Sequence, residues 1–420
     1  MAAIAKDGGA PKGTVAYIIL TAFLNLMGVG IVAPVLNFLA GRYVSDPTQL
    51  AWTVSLLFAS FSLFQFIATP TLGALSDRYG RRPILLISLL GSAIGYVLIG
   101  GAGALWVMFL GRIIDGITGG NISTIYAYAA DITKPQDRTR FFGLVGSAAG
   151  MGFVVGPAIG ALIYRVTGQL EAPLYLAALV TLINVAWGYF AMPESLAPER
   201  RERDIVLRRL NPFTQLVNVF RVPQIRLFLV SILLWTTGFA VLQSNIAYLT
   251  EDRLGWTPDQ TNSLFFLIGI IQVITQGFLI QRLVGRFGEL RIAVTGLVMI
   301  AIGFVIIGIT SITLFAPLVF FASLFNAGGN GLMIPTSAAL LSKAVTVREQ
   351  GRIQGGSQSV QALGRVIGPL YGGWAYTTFS AAAAYFSLTG VLLLAAAIAY
   401  VSGRALIAEK SNIATTKTEA

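Results

Sequence analysis

The segment LGALSDRYGRRPILL at residues 72–86 places a short charged turn between two long apolar stretches. A stretch of about 20 predominantly apolar residues is long enough to cross a bilayer as a helix. Long apolar stretches that alternate with short charged connections recur along the whole chain. The pattern predicts an all-α membrane protein in which this turn connects two spans.

The composition agrees with a membrane protein and argues against an enzyme. Charged residues make up 11% of the 420 residues, and the mean hydropathy is +0.75. Ordinary soluble domains carry about 25% charged residues. The chain has no Cys and no His, which excludes disulfides, Ser-His-Asp triads and imidazole metal sites. We therefore expect no enzymatic activity, no metal and no cofactor, and carboxylates remain as the groups that could carry protons.

Twelve apolar segments fall into two sets of six. We predict an N-terminal six-helix bundle at residues 1–195, a cytoplasmic linker at 196–225, a C-terminal six-helix bundle at 226–405 and a cytoplasmic tail at 406–420. The linker contains the helical motif PFTQLVNVF. The predicted spans are 14–40, 50–74, 83–101, 104–131, 139–164 and 171–193, followed by 226–249, 260–283, 291–309, 315–342, 350–376 and 381–404.

The basic residues orient these spans. With the N-terminus inside the cell, 24 of the 29 Lys and Arg residues fall on the inner side, and only Arg42, Arg165 and Arg253 fall outside. Such a bias predicts that both termini are cytoplasmic. The net charge of +11 is therefore a topology signal, and we expect the lipid bilayer, not nucleic acid, as a partner.

The two halves repeat each other. Four Gly and Pro residues at 152–160 recur 212 positions later at 364–372, and Gly119-Gly120-Asn121 recurs as Gly328-Gly329-Asn330. Two related six-span halves are typical of transporters with a substrate site near the midplane between the halves.

Three motifs extend this interpretation. The turn at 72–86 resembles the signature loop of the major facilitator superfamily, and LGRIIDGITGG at 110–120 is a further match. GFVVGPAIG at 152–160 is similar to the antiporter motif of twelve-span drug/proton antiporters, and several stretches resemble bacterial tetracycline/proton antiporters. The resemblance implies the major facilitator fold with two pseudo-symmetric six-helix bundles, alternating access, and a bacterial inner membrane as the location.

The resemblance also implies roles for two groups of residues. The first group is a conformational latch between the halves, formed by Gly73, Asp77, Arg78, Arg81, Arg82 and Asp131. The second group is a helix bend, formed by Gly152, Gly156, Pro157 and Gly160 and repeated at Gly368 and Pro369. For this second group, helix packing alone is the alternative role.

Three charged residues, Arg112, Asp115 and Arg365, lie deep within predicted spans and away from the span ends. A charge at mid-bilayer costs about 2.5 to 3.5 kcal/mol on insertion scales, so each needs a partner or a wet cavity. Arg112 matches the family's buried arginine associated with proton coupling, and Asp115 lies three residues later on the same helix. Asp115 is either the proton acceptor or half of a permanent ion pair. Arg365 either contacts an anionic or carbonyl-bearing substrate, or bonds to backbone carbonyls or pairs with Asp115.

Polar and aromatic residues inside the spans define a candidate substrate cavity. We expect about a third of them to line it, because amides in a bilayer also bond to neighbouring helices. Such a cavity suits a small lipophilic molecule. The candidates are Arg365, Asn25, Asn37, Gln65, Tyr126, Trp235, Gln243, Asn245, Gln272, Gln276, Asn326, Asn330, Gln358 and Gln361.

Three positions in the predicted spans depart from the tetracycline antiporters. Asn25 and Gly95 stand where those transporters carry aspartates, and Gln272 stands where they carry a histidine. We therefore expect a substrate other than a tetracycline–metal complex.

The leading hypothesis is proton-coupled efflux of a small lipophilic compound or drug, a multidrug or antibiotic-resistance function, by a protein that acts as a monomer. The alternatives are a uniporter or proton-linked importer of a sugar or organic acid, and a non-transporting membrane receptor or scaffold.

Overall fold

The computed structural model describes residues 12–133, 138–202, 210–345 and 350–418. All regular secondary structure in these ranges is helical, which confirms the predicted all-α class. Residues 203–209 of the predicted linker and the last two residues of the predicted tail lie outside the described residues.

The helices follow the predicted spans closely. In the first half they are α1 (Lys12–Ala40), α2 (Pro47–Tyr79), α3 (Arg81–Gly100), α4 (Leu105–Gly119), α5 (Ile122–Ile132), α6 (Arg138–Thr167) and α7 (Ala172–Ala191). The predicted linker helix is α8 (Pro212–Phe220). The second half contains α9 (Pro223–Leu254), α10 (Pro258–Ile274), a π-helical turn (Thr275–Leu279), α11 (Ile280–Phe287), α12 (Glu289–Thr313), α13 (Pro317–Lys343), α14 (Gln350–Thr378) and α15 (Ala381–Thr418).

Ten segments in the described part of the chain are long and apolar enough to cross a membrane. The other two predicted spans are also helical. The one predicted at 104–131 is divided, because a turn at Gly120 and Asn121 separates α4 from α5. The one predicted at 350–376 is α14, which carries four glutamines in its first twelve residues and is correspondingly less apolar.

Contacts divide the chain into two compact units. Unit 1 comprises the residues up to Thr214 together with Pro258–Phe266, and unit 2 comprises Gln215–Thr257 and the residues from Leu267 onward. In unit 1, α1 packs against α6 and α7, and α3 packs against α4 and α7. In unit 2, α9 packs against α14 and α15, and α12 packs against α13 and α15. The sequence repeat therefore corresponds to a repeated pattern of helix packing.

An apolar core joins four helices of unit 1. Tyr17 of α1, Leu85 of α3, Tyr128 of α5 and Val145 of α6 are fully buried in it. The Tyr128 hydroxyl donates a hydrogen bond of 2.7 Å to the carbonyl of Pro193. The chain just after α7 is thereby fixed beside α5.

Glycines bring the paired helices into backbone contact. A methyl group on Gly152 would lie 1.9 Å from the Phe23 carbonyl oxygen, and one on Gly368 would lie 2.6 Å from the Thr237 carbonyl oxygen. Gly156 is equally tight, at 2.4 Å from an α1 carbonyl oxygen. Small residues allow helices in a membrane to approach this closely.

The other members of the predicted bend are less constrained. A methyl group on Gly160 would lie 3.3 Å from the nearest atom of α1, while Pro157 and Pro369 lie inside α6 and α14. The packing role of the glycines is thus visible within each unit, and the bending role stays a prediction.

Candidate functional site

The predicted charged pair lies in the interior of unit 1. Arg112 and Asp115 of α4 expose only 2% and 1% of their side chains, and Nη1 of Arg112 lies 3.4 Å from Oδ2 of Asp115. Arg112 also donates from Nε to the Leu57 carbonyl at 3.3 Å, and its guanidinium carbon lies 4.3 Å from the ring centre of Phe61. Three separate contacts therefore stabilise one buried positive charge.

Asp115 is less completely paired than Arg112. Its Oδ1 is buried and has no hydrogen-bond partner within the described residues, although Ser92 lies near the carboxylate. A methyl group on Gly95 would lie 2.9 Å from Cβ of Asp115, so α3 and α4 are in close contact at this point. A carboxylate with one paired and one unpaired oxygen has room to accept a proton.

Asn25 takes part in a polar cluster at the turn between α4 and α5. Its Nδ2 donates a hydrogen bond of 3.0 Å to Oδ1 of Asn121, and Nε2 of Gln65 donates one of 3.1 Å to the Gly119 carbonyl. The interrupted helix is therefore tied to α1 and α2 by amide side chains. Asn25 and Gln65 were predicted from the sequence as cavity residues, whereas Asn121 was not.

The repeat places a related hydrogen bond in unit 2. Nε1 of Trp235 in α9 donates to Oδ1 of Asn330 at 2.9 Å, and Nδ2 of Asn330 donates to the Asn326 carbonyl at 2.8 Å. Asn121 and Asn330 are repeat-related, and each accepts a hydrogen bond from the first helix of its unit. The two asparagines thus secure helix pairs.

Three further cavity candidates contact residues of their own unit. Oδ1 of Asn245 accepts from Ser244 at 2.9 Å, the Asn326 amide donates to the Ala322 carbonyl at 3.1 Å, and Tyr126 packs edge-on against Phe142. Asn37 is buried in α1, and Gln276 is in the π-helical turn.

Three glutamines make no side-chain hydrogen bond within the described residues of unit 2. Gln272 is buried, whereas Gln243 and Gln358 are half-buried. Gln361 donates a long hydrogen bond of 3.4 Å to Ser357 in the preceding turn of its own helix. Arg365 lies one turn after Gln361 and is also half-buried.

The signature turn forms an ion-pair network centred on Arg81. Its guanidinium pairs with Asp77 and, through Nε at 3.2 Å, with Asp131. Arg78 instead lies over the ring of Tyr79 at 5.3 Å, and Gly73 makes only ordinary van der Waals contact with α5. Within unit 1, Arg81 and not Arg78 forms the ion pairs of this segment. The role of the segment as a latch between the halves stays a prediction.

Glu194 completes this network and was not among the residues predicted from the sequence. Its Oε1 accepts hydrogen bonds from the backbone N–H groups of Arg81 at 2.9 Å and Ser195 at 3.0 Å. Its Oε2 accepts from the N–H of Arg82 at 3.3 Å. A carboxylate at the start of a helix satisfies its free N–H groups and the helix dipole. Gly80, whose φ of +104° favours glycine, forms the turn beside it.

Arg82, which was predicted as part of the latch, connects two helices of unit 1. The Arg82 side chain donates a hydrogen bond to the Tyr189 carbonyl, so it joins α3 to α7.

The π-helical turn Thr275–Leu279 was not predicted, because hydropathy does not distinguish it from an α-helix. Such turns are frequent at functional sites.

Two helical units with the same packing pattern, apolar helices that can cross a membrane, and a buried ion pair define a multi-pass membrane transporter. The family model described as the Major Facilitator Superfamily matches residues 18–270 and 228–417. The chain belongs to this superfamily. It is a family of transporters and not of enzymes.

Curated relatives confirm the resemblance to tetracycline antiporters. The chain is 34% identical to the tetracycline resistance protein, class C, of Escherichia coli over 357 residues, which cover 83% of this chain and 86% of the relative. It is 30% identical to the class H protein of Pasteurella multocida, over 92% of this chain and 94% of the relative. It is 25% identical to multidrug resistance protein 2 of Bacillus subtilis, over 84% and 86% of the two chains.

Solved structures share the fold. The human organic anion transporter MFSD10 superimposes with a TM-score of 0.72 at 24% identity, covering 93% of this chain and 100% of that one. A D-xylose-proton symporter superimposes with a TM-score of 0.69 at 18% identity, covering 92% and 97%. The predicted major facilitator fold is confirmed.

Proposed function

We propose that this protein is a proton-coupled efflux transporter that exchanges protons for a small lipophilic organic compound or drug by alternating access. The names of its relatives, tetracycline and multidrug resistance proteins, support drug efflux. The observation that carries proton coupling is the Arg112–Asp115 pair, in which a buried carboxylate has one oxygen without a hydrogen-bond partner.

In this proposal Asp115 binds the transported proton. Protonation removes the negative charge from the pair, and Arg112 then relies on the Leu57 carbonyl and the Phe61 ring. The two protonation states of Asp115 thus change the balance of contacts at the α3–α4 crossing. A change of this kind couples proton binding to a conformational equilibrium if the two conformations bind the proton with different affinity.

The substrate in this proposal is not a tetracycline–metal complex. Asn25 is neutral and is hydrogen-bonded to Asn121, and Gln272 is neutral as well. Gly95 has no side chain, and a methyl group there would already meet α4 at 2.9 Å. The first, third and eighth spans therefore offer no carboxylate or imidazole at these positions for a metal ion.

We also propose a setting for the transporter: the inner membrane of a bacterium, with both termini in the cytoplasm and a monomer as the functional form. The domain boundaries follow the sequence prediction, with bundles at 1–195 and 226–405, a linker at 196–225 and a tail at 406–420. The excess of Lys and Arg on the predicted inner side supports this orientation.

Transport into everted vesicles tests the proposal. Lipophilic dyes and antibiotics are offered with and without a proton gradient to wild type and to Asp115→Asn, with Asp259→Asn as the control because that carboxylate is 52% exposed. We expect gradient-driven uptake in wild type and the control, and loss of gradient-driven uptake with retained ligand binding in Asp115→Asn. Coupled uptake by Asp115→Asn would remove Asp115 from the mechanism. Flux that is independent of the proton gradient would indicate a uniporter.

A further inference from the structure

Arg365 is a cation inside the span predicted at 350–376, and it lacks the contacts that stabilise Arg112. Its half-buried guanidinium has no ion pair, hydrogen bond or aromatic contact in the described part of unit 2. Arg112, by contrast, is held by a carboxylate, a carbonyl oxygen and an aromatic ring. An arginine inside a span needs a partner, and where the described residues of unit 2 supply none, a bound ligand can provide it.

The position of Arg365 on α14 indicates where such a ligand would lie. Residues 358, 361 and 365 are spaced by three and four positions, so they share one face of the helix. The opposite face, about 180° away around the helix, carries exposed apolar side chains suited to lipid. These side chains are Ile367, Leu370 and Trp374. The polar face is therefore the side directed away from lipid.

The helix that carries Arg365 is firmly placed. Methyl groups on Gly364 and Gly368 would lie 2.9 Å or less from atoms of Thr236 and Thr237 in α9. Backbone contact of this kind fixes α14 against α9 on both sides of Arg365 in the sequence. A guanidinium on a fixed helix is better organised for binding than one on a loop, because less freedom is lost when the ligand arrives.

We propose that Arg365 binds the carboxylate of a lipophilic organic monoanion, which is the transported substrate. The guanidinium presents a planar fork of donors that matches a carboxylate with two parallel hydrogen bonds. Gln358 and Gln361 supply further amide donors on the same face. Arg365 is the sole basic residue in the sequence from 353 to 378, so one positive charge matches one negative charge. A dianion such as a phosphate monoester would leave a charge unpaired.

This inference rests on the proposed transport function and adds the class of substrate. The test is a binding measurement on the full chain in lipid nanodiscs, without a proton gradient. The probes are matched pairs that differ only in charge, 2-naphthoate with 2-naphthamide and 9-anthroate with 9-anthramide. Binding is followed by isothermal titration calorimetry for wild type, Arg365→Gln, Arg365→Lys and the exposed control Arg404→Gln.

We expect wild type to bind each acid at least tenfold more tightly than its amide. Arg365→Gln should lose about 10- to 100-fold in affinity for the acids with no change for the amides, in line with the strength of a charge-assisted hydrogen bond. The affinity of Arg365→Lys for the acids should lie between those of wild type and Arg365→Gln, because this variant keeps the charge but not the planar fork of donors. The affinities of Arg404→Gln should match those of wild type.

Equal affinities for acid and amide in wild type would overturn the inference, as would unchanged acid affinity in Arg365→Gln or no acid binding up to millimolar concentration. The wild-type comparison stands even if Arg365→Gln does not fold. Because the vesicle assay uses dyes, a gradient and Asp115, its failure would remove proton-coupled efflux and leave the acid preference measurable. Failure of the binding test alone would leave efflux in place with a neutral or cationic substrate.

Discussion

The strength of the Arg112–Asp115 interaction can be calculated from the structure and measured by a double-mutant cycle. The variants are Asp115→Asn, Arg112→Gln and the double substitution. At the observed separation of 3.4 Å, two unit charges attract by about 5 kcal/mol at an effective dielectric constant of 20. Part of this attraction energy is retained in the single variants, because the amide in Asp115→Asn still accepts a hydrogen bond and Arg112 keeps its contacts with Leu57 and Phe61. We expect a coupling energy of about 2 to 3 kcal/mol, within the range measured for close charge pairs.

The assay is SDS-induced unfolding in mixed micelles at pH 8, followed by circular dichroism. The chain offers a matched control in Arg165 and Asp259, which are 3.2 Å apart but 65% and 52% exposed. Exposed pairs contribute about 0.2 to 1 kcal/mol, so the control cycle should give a clearly smaller coupling. A buried-pair coupling no larger than that of the control would refute the electrostatic argument.

Repeating the cycle between pH 5 and pH 9 separates the two roles left open for Asp115. If Asp115 takes up a proton in this range, the coupling must fall where the carboxylate becomes neutral, because only a neutral hydrogen bond then remains. A coupling that is constant across the range identifies a permanent ion pair and would contradict the proton-binding role.

Three further predictions concern the framework around this pair. Gly152→Ala should lower the melting temperature in detergent, since its methyl group would lie 1.9 Å from a backbone oxygen. Gly390→Ala is the control and should leave the melting temperature unchanged, because the space around Gly390 is open. Equal effects of the two substitutions would contradict the close-contact argument. Glu194→Gln should increase amide hydrogen exchange at the start of α3, because it removes the charge that caps those N–H groups, and unchanged protection there would count against the cap. Burial opposes ionisation of Glu171, but hydrogen bonds from Arg42 and the backbone, together with the charge of Arg42, lower its pKa below 4.5. The resulting small stabilisation is present above that pH and is lost as the pH falls through the lowered pKa. The melting temperature of Arg42→Gln should therefore be slightly below that of wild type at pH 7 and equal to it at pH 3, and a difference that grows with acidity would contradict this sign.

The fold could largely be predicted from the sequence, because a bilayer restricts the length and composition of the segments that cross it. A span needs about 20 apolar residues, and the twelve predicted segments correspond to helices throughout the described residues. The motif at 72–86 and the repeated Gly and Pro residues indicated the superfamily. The spacing of Arg112 and Asp115 also predicted their pairing, because residues three apart on a helix are neighbours.

The tertiary structure decided which polar residues already have partners. Hydropathy and helical spacing do not reveal contacts between distant segments, so the hydrogen bonds that Asn25, Gln65 and Trp235 make within their units were not predicted. For the same reason Glu194 was missed, since its bonds to the start of α3 join positions more than 100 residues apart in the sequence. The sequence placed Arg365 inside a predicted span, and only the tertiary structure shows that the described residues of unit 2 offer it no ion pair, hydrogen bond or aromatic contact.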